Sequence, residues 1–315
     1  MNYKQIAEHE RYIIKYHLDR GLSLREIGTN LKKSHTTISR EINRNTGKRG
    51  YRPKQAHEFF LIRQASKISA WKFKNEIKQK IKKYLKKYWS PEQIVGWFTT
   101  NGKTMVSLTT IYKYISEDKK NGGFLWKYLR HGHKKYRKPY GSGASTKHIS
   151  SRVSIDDRPE VVDEKSRIGD WEIDTVIGKN HKGALITIVE RKSKFLVMRM
   201  CKTKHAIPIA NKIIDMLKPY KDRVLTITSD NGTEFSGHEL FGKKLNADVY
   251  FAHPYSSWER GLNENTNGLI RQFYRKGVTF TGITARDVAK KQELLNTRPR
   301  KDLEWKTPEE VFLAT

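Results

Sequence analysis

Over residues 4–44 and again over about 75–118, apolar side chains recur at helical spacing. Beyond residue 170 they come in short β-branched runs separated by helical ones. The two periods, 3.6 and 2, predict a helical first half and an α/β second half. Residues 4–20 form an amphipathic pattern that Gly21 stops. Ser23-Leu24-Arg25-Glu26 has the form of a capping box and starts a second helix. Lys32-Lys33-Ser34 makes a short break. A third helix then runs from His35 to about Arg44, with Ile38 and Ile42 on one face. A short helix, a tight turn and a polar-faced helix are the parts of a helix-turn-helix, although an ordinary three-helix domain has the same apolar pattern.

The pattern repeats. Ser34-His35-Thr36-Thr37-Ile38-Ser39-Arg40-Glu41-Ile42 aligns with Ser107-Leu108-Thr109-Thr110-Ile111-Tyr112-Lys113-Tyr114-Ile115. Upstream, Ser90-Pro91-Glu92-Gln93-Ile94 matches Ser23-Leu24-Arg25-Glu26-Ile27, and Ile77, Ile81 and Leu85 recur at i+4 among lysines. A second helix-turn-helix is therefore expected at about 75–118, with a longer turn. Outward positions are His35, Ser39 and Glu41 in the first module and Leu108, Tyr112 and Tyr114 in the second. Candidate DNA contacts are His35, Thr36, Ser39, Arg40 and Arg44, then Thr109, Thr110 and Lys113. Outward side chains suit base edges, while the shared threonines and basic residue suit phosphates.

Residues 119–155 have little apolar periodicity and read as a basic linker. Within it Tyr136, Arg137, Lys138 and Tyr140 mix cations with aromatics, which suits either DNA contact or a plain hinge. Three β-rich runs follow, Trp171–Gly178, Gly183–Arg191 and Lys194–Cys201, fit for an antiparallel meander. Then come a helix over Thr203–Leu217, a strand over Val224–Asp230, a helix near His238–Leu245 and a strand over Ala247–Ala252. Helices over Asn263–Tyr274 and Thr284–Asn296 close the chain. This order is that of the ribonuclease H-like fold. The expected division is a helix-turn-helix domain at 1–50, a second such domain at 51–120, the linker at 121–160 and an α/β catalytic domain at 161–315.

Charge bears on the partner. Residues 1–150 carry 34 Lys and Arg against 10 Asp and Glu, a net +24, while residues 151–315 carry 29 against 23, a net +6. Such an excess in the first half points to a polyanion. Cys201 is the only cysteine, which excludes an internal disulfide and any multi-cysteine zinc module. No apolar signal region or membrane-length apolar run occurs, so a cytoplasmic setting is expected.

Three acids carry the candidate chemistry. Asp174 lies within an apolar run, Asp230 ends another, and Glu264 follows on a helix, 33 residues separating it from Asp230. Strand pairing can bring the first two together. Carboxylates are natural ligands for Mg²⁺, and two such ions can activate an attacking oxygen and stabilise a leaving one. Mn²⁺ could substitute. Taken singly, each acid has a plainer reading. Asp174 could be a salt-bridge partner, with Asp170 and Glu172 on the same strand face competing for its role. Asp230-Asn231-Gly232 could be a turn, and Glu264 a solvated helix acid. Asn267 and Arg271 share the helical face of Glu264, and Arg271 could hold a DNA phosphate or serve a structural pairing. His253, Trp258 and Arg260 lie in the loop leading to this helix.

Several stretches resemble the insertion-sequence-thirty (IS-thirty) family of bacterial transposases nearly end to end. They are RVSIDDRP, SRIGDWEIDTVIG, VERKS, SDNGTEF, FAHPYSSWERGLNENTNGLIRQ and LNTRPRKDLEWKTPEEVF. The resemblance implies a helix-turn-helix region that binds the terminal inverted repeats of a mobile element. It also implies a D-D-E core of ribonuclease H type, whose acids fall on Asp174, Asp230 and Glu264 and whose following basic residue falls on Arg271. The usual W-E-G-D of the first motif has Ile173 here, and the usual Y-F-P-K-G has Phe273-Tyr274-Arg275-Lys276-Gly277. The implied activity is metal-dependent DNA cleavage and strand transfer into target DNA by a homo-oligomer in a bacterial cytoplasm, associated with the nucleoid and no membrane. Rival expectations are a DNA-binding repressor with a decayed core, or a related integrase or nuclease.

Overall fold

The computed structural model describes residues 5–65, 73–131, 149, 151–181, 183–201, 203, 205–254 and 256–314. The basic and aromatic stretch Tyr136, Arg137, Lys138 and Tyr140 lies outside the described residues. The chain divides into two compact units, Met1–Lys74 and Asn75–Thr315.

The first unit holds α1 (Glu8–Asp19), α2 (Leu24–Asn30), α3 (His35–Asn45) and α4 (Pro53–Ala65). Ser23 and Glu26 cap α2 reciprocally, as the pattern predicts, and Ser34 Oγ accepts from Thr37 N to cap α3. Ile14, Ile27, Ile38 and Ala56 are fully buried and form the centre of the core. Helix α4 has no counterpart among the expected elements. Phe59, Phe60, Leu61 and Ile62 are consecutive, so no single apolar stripe marks it.

One expected outward position turns inward. Glu41 accepts from Arg11 Nε at 2.7 Å, and Arg11 is only 1% exposed. The phenol of Tyr51 also donates to Glu41. A buried guanidinium needs a counter-charge, and Glu41 supplies it.

The second unit begins with α5 (Asn75–Lys86), α6 (Pro91–Thr100) and α7 (Leu108–Lys120), the expected second three-helix pattern. Ser90 and Gln93 form a capping box, and Ser107 Oγ accepts from Thr110 N as Ser34 Oγ accepts from Thr37 N. These helices pack on the α/β part. Gln93 donates to the Pro299 carbonyl, and a Cβ on Gly96 would sit 2.2 Å from the Trp305 ring, so only glycine admits that contact.

The α/β part comprises β1 (Val153–Ser154), α8 (Val161–Glu164), β2 (Asp170–Ile177), β3 (Ala184–Glu190) and β4 (Leu196–Cys201). It continues with α9 (Ala206–Leu217), β5 (Thr226–Ser229), α10 (His238–Leu245), β6 (Asp248–Phe251), α11 (Gly261–Ile270), α12 (Ala285–Asn296) and α13 (Pro308–Leu313). The sheet order is β1-β6-β5-β2-β3-β4. β2, β3 and β4 form the antiparallel meander, and β5 and β6 add in parallel beside β2. This is the ribonuclease H-like topology. β2 lies inside the sheet, so each of its faces is covered. Trp171 and Ile173 point into a core with α9 and α10, while Val176 joins a second core with Leu269, Ile270 and Val288 from α11 and α12. By period two, Asp170, Glu172 and Asp174 share the α11 side with Val176.

Candidate active site

Strand register builds the site. β5 runs parallel to β2 with Thr226 opposite Asp170 and Thr228 opposite Glu172. That ladder ends at Glu172 and Thr228, and Asp230, just past the end of β5, is linked to Asp174 through Arg260, 3.2 Å from Asp230 Oδ2 and 3.9 Å from Asp174 Oδ1. Asp230 also closes a turn, for its Oδ1 accepts from Gly232 N at 3.0 Å. A Cβ on Gly232 would lie 2.9 Å from that same oxygen and from the Glu234 carboxylate, so a side chain there would press on both carboxylates. Glu234, which the sequence pattern did not single out, accepts from Thr175 Oγ1 at 2.8 Å.

Helix α11 runs along β2 in step with it. Asn263 N donates to Glu172 Oε2 at 3.1 Å, Asn267 Nδ2 to Asp174 Oδ2 at 2.6 Å, and Arg271 Nη2 to the Ile177 carbonyl at 3.1 Å. From Asn263 to Asn267 the helix rises about 6.0 Å and from Glu172 to Asp174 the strand rises about 6.6 Å, so the two run in step there, and the long Arg271 side chain reaches one residue further along β2.

The three acids of β2 now differ sharply. Asp170 is fully buried and accepts from Arg167 Nε and Nη2, both at 3.0 Å, and from Thr226 Oγ1 at 2.8 Å. Glu172, also buried, pairs with Arg191 at 2.6 Å, and Arg191 in turn reaches Asp163. Burial pushes the Glu172 carboxyl up, and the Arg191 charge opposes that. Both acids are consumed in structural pairs. Asp174 has Thr175 N at 2.7 Å and Asn267, with Arg260 Nη1 at 3.9 Å. Burial pushes its carboxyl up to about 6; Arg260 pulls down and Asp230 pushes further up.

Arg260 Nη2 donates to Asp230 Oδ2 at 3.2 Å and Nη1 to the Ile173 carbonyl at 3.4 Å. Its guanidinium thus offsets part of the charge of the acidic pair, a role the sequence could not assign. Glu264 is exposed on α11. Among the described residues no three His, Cys, Asp or Glu side chains converge to hold a metal ion. The structure therefore brings Asp174 and Asp230 together and leaves Glu264 at the surface, on the same helical face as Asn267.

Arg271 gives its hydrogen bonds to the Ile177 and Tyr274 carbonyls, tying the end of α11 to β2. His253 bridges Glu259 at 2.8 Å and Asp156 at 2.9 Å, which holds the loop and raises its own pKa. Trp258 is 74% exposed. In the first unit His35, Thr36, Arg40 and Arg44 are exposed and Ser39 is half-buried; in the second Thr109 and Lys113 are exposed and Thr110 is half-buried. The Thr36 and Thr110 hydroxyls hydrogen-bond Ser34 Oγ and Ser107 Oγ, so these threonines also hold their caps.

No described helix is long and apolar enough to cross a membrane. Residues 2–45 match the model of a helix-turn-helix domain family. The chain is 43% identical to the transposase for insertion sequence element IS4351 of Bacteroides fragilis, over 98% of this chain and 95% of that protein. It is 32% identical to transposase InsI for insertion sequence element IS30A of Escherichia coli K12, over 96% of this chain and 82% of that protein. Among solved structures, the catalytic core domain of BIV integrase aligns with a TM-score of 0.37 and 21% identity, covering 47% of this chain and 95% of that one. Identity of this extent over nearly the whole length places the chain in the insertion-sequence-thirty (IS30) family of insertion-sequence transposases.

Proposed function

We propose that the chain is a DNA transposase that binds the terminal inverted repeats of its element, cleaves there and transfers the ends into target DNA. The observation that supports this is Arg260, whose guanidinium lies 3.2 Å from Asp230 Oδ2 and 3.9 Å from Asp174 Oδ1. The donor set suits Mg²⁺ or Mn²⁺: it is all oxygen, its central carboxyl is pushed up by burial, and Asn267 Oδ1 is buried with acceptor capacity unused. Asp174 and Asp230, with Glu264 from α11, would hold a pair of divalent ions. Bound there, the ions supply a lowered water pKa and charge stabilisation at the phosphodiester.

The chain's own residues do the rest. Asn267 fixes the Asp174 carboxylate through Oδ2, and Thr175 N fixes Oδ1. Arg260 holds the Asp230 carboxylate against the middle of β2, at the Ile173 carbonyl. Exposed α3 enters DNA with His35, Thr36, Ser39, Arg40 and Arg44, and α7 adds Thr109, Thr110 and Lys113. The domain division given above, a homo-oligomeric assembly and a cytoplasmic, nucleoid-associated setting belong to the same proposal. Strand transfer of DNA bearing the repeats that flank its gene, with Mg²⁺, tests it. Wild type should join ends and Asp230→Asn should bind them without joining. Joining by Asp230→Asn near the wild-type rate would remove the acids from the chemistry. Tight end binding by a wild type that never joins would favour a repressor.

A further inference from the structure

Beside the helix that carries Glu264, three arginines meet without a carboxylate. Arg298 is 3% exposed. Its Nη1 donates to Gln272 Oε1 at 3.2 Å, but Nε and Nη2 are buried with no partner. Arg300 gives Nη2 to the Leu295 carbonyl at 3.1 Å, and its Nε is buried and unpartnered. Arg130, exposed, reaches across from the segment after the second helical module. Its Nη2 lies 3.5 Å from Asn265 Oδ1 and would be 2.7 Å from a Cβ on Gly268.

These cations act on one another. Burial and the charges of Arg300 and Arg130 push Arg298 down to about 9, and burial and Arg130 push Arg300 down to about 10. Tyr88 is the group that opposes this at Arg298, and no carboxylate does. The undescribed stretch 132–148 contains no Asp or Glu that could supply one. A buried guanidinium with unbonded N–H groups is costly, and a set of them is costlier because like charges repel. A buried arginine that braces this fold has a carboxylate, as Arg191 has in Glu172 and Asp163.

We propose that Arg298, Arg300 and Arg130 form a site for a backbone phosphodiester of the DNA on which the acidic pair works. Phosphate oxygens match the guanidinium fork: exposed Arg130 would meet the phosphate directly, and the charges of buried Arg298 and of Arg300 behind it would favour an anion there. Location selects DNA as the source. Arg130 touches Asn265, next to Glu264, and Gln272 links Arg298 to the Tyr128 carbonyl, so the cluster flanks α11. A strand drawn to Glu264 passes it. The proposal rests on the reading of Asp174 and Asp230 as a site that acts on DNA.

The test uses the full chain and a mixed-sequence DNA duplex, with binding followed over a series of salt concentrations. Arg130→Ala should bind about tenfold more weakly, as expected for one charge-assisted hydrogen bond, and Arg298→Gln, which removes a charge behind it, should weaken binding in the same direction. The double variant should flatten the log Kd against log salt slope by about 0.9, the signature of one phosphate contact. Arg298→Lys should restore the slope, which a packing role would not require. A melting curve checks Arg298→Gln; should that variant fail to fold, exposed Arg130→Ala decides alone. Wild-type slopes in both variants would overturn the proposal. Stabilisation of wild type but not Arg298→Gln by inorganic phosphate, with DNA slopes unchanged, would mean a free-anion site and overturn the DNA assignment. Asp230→Asn should keep the wild-type slope while losing strand transfer, so failure of the acidic-pair reading shows separately.

Discussion

Arg260 Nη2 donates to Asp230 Oδ2 at 3.2 Å, placing a fixed cation at the mouth of an acidic pair. The same guanidinium lies 3.9 Å from Asp174 Oδ1. Two carboxylates on neighbouring strands repel, and the arginine holds the pair together in the metal-free chain. Arg260→Ala should therefore lower the melting temperature in EDTA. The gain in melting temperature on adding Mn²⁺ should grow relative to wild type, because the divalent ion then meets uncompensated charge. An equal or smaller gain in the variant would show that Arg260 does not offset the carboxylates.

The raised carboxyl of Asp174 gives a pH dependence with a definite sign. Its folded pKa, about 6, stands above its ordinary 3.8. Between those values the folded chain binds more protons than the unfolded one, so stability falls as pH rises from 4 through 6. A shift of this size is worth on the order of 3 kcal/mol. In EDTA, wild type should lose stability against Asp174→Asn across that window, and the difference should level off above it. A pH-independent difference between the two proteins would contradict the assignment.

Asn267 positions Asp174 through its 2.6 Å hydrogen bond. Asn267→Ala should lower strand transfer about 10- to 100-fold, the usual cost of losing a group that orients a metal ligand. Binding to end DNA should stay near wild type. Full activity in Asn267→Ala would mean that Asp174 keeps its orientation without the amide.

Glu172 and Arg191 are both buried and separated by 2.6 Å. Arg191→Met leaves the Glu172 charge without its main partner and should cost about 3–5 kcal/mol of stability. Chemical denaturation measures this directly. Arg167→Met tests the Asp170 pair in the same way, but Arg167 is 37% exposed, so water offsets part of the loss and the effect should be smaller.

In the first unit, Glu41→Ala strips the counter-charge from buried Arg11 and should destabilise Met1–Lys74 strongly, with DNA binding lost only as the unit unfolds. Arg40→Ala should leave the unit folded and reduce its preference for element ends over random DNA. Thermal melting beside competition binding separates the two outcomes. A stable Glu41→Ala variant with altered end preference would return Glu41 to the DNA-facing side.

The sequence by itself determined the elements. Capping residues Ser23 and Ser90 marked helix starts because side-chain caps act locally, and the structure adds Ser34 and Ser107 as caps. β-rich runs marked β2, β3 and β4 because residue preference for strand is also local. The order of those elements fixed the fold class, and Asp174 and Asp230 could be paired from their places at strand positions. Tertiary structure decided what depends on partners distant in the chain. Asp170, Glu172 and Asp174 are equivalent by period, and only Arg167, Arg191 and Asn267 tell them apart. Glu41 sits at an outward spacing on α3, yet Arg11 from α1 draws it in. Helix α4 escaped the pattern because its apolar residues do not form one stripe. The position of Arg260 between two aspartates, and of Arg298 beside Gln272, follows from packing across α11, which no local spacing encodes.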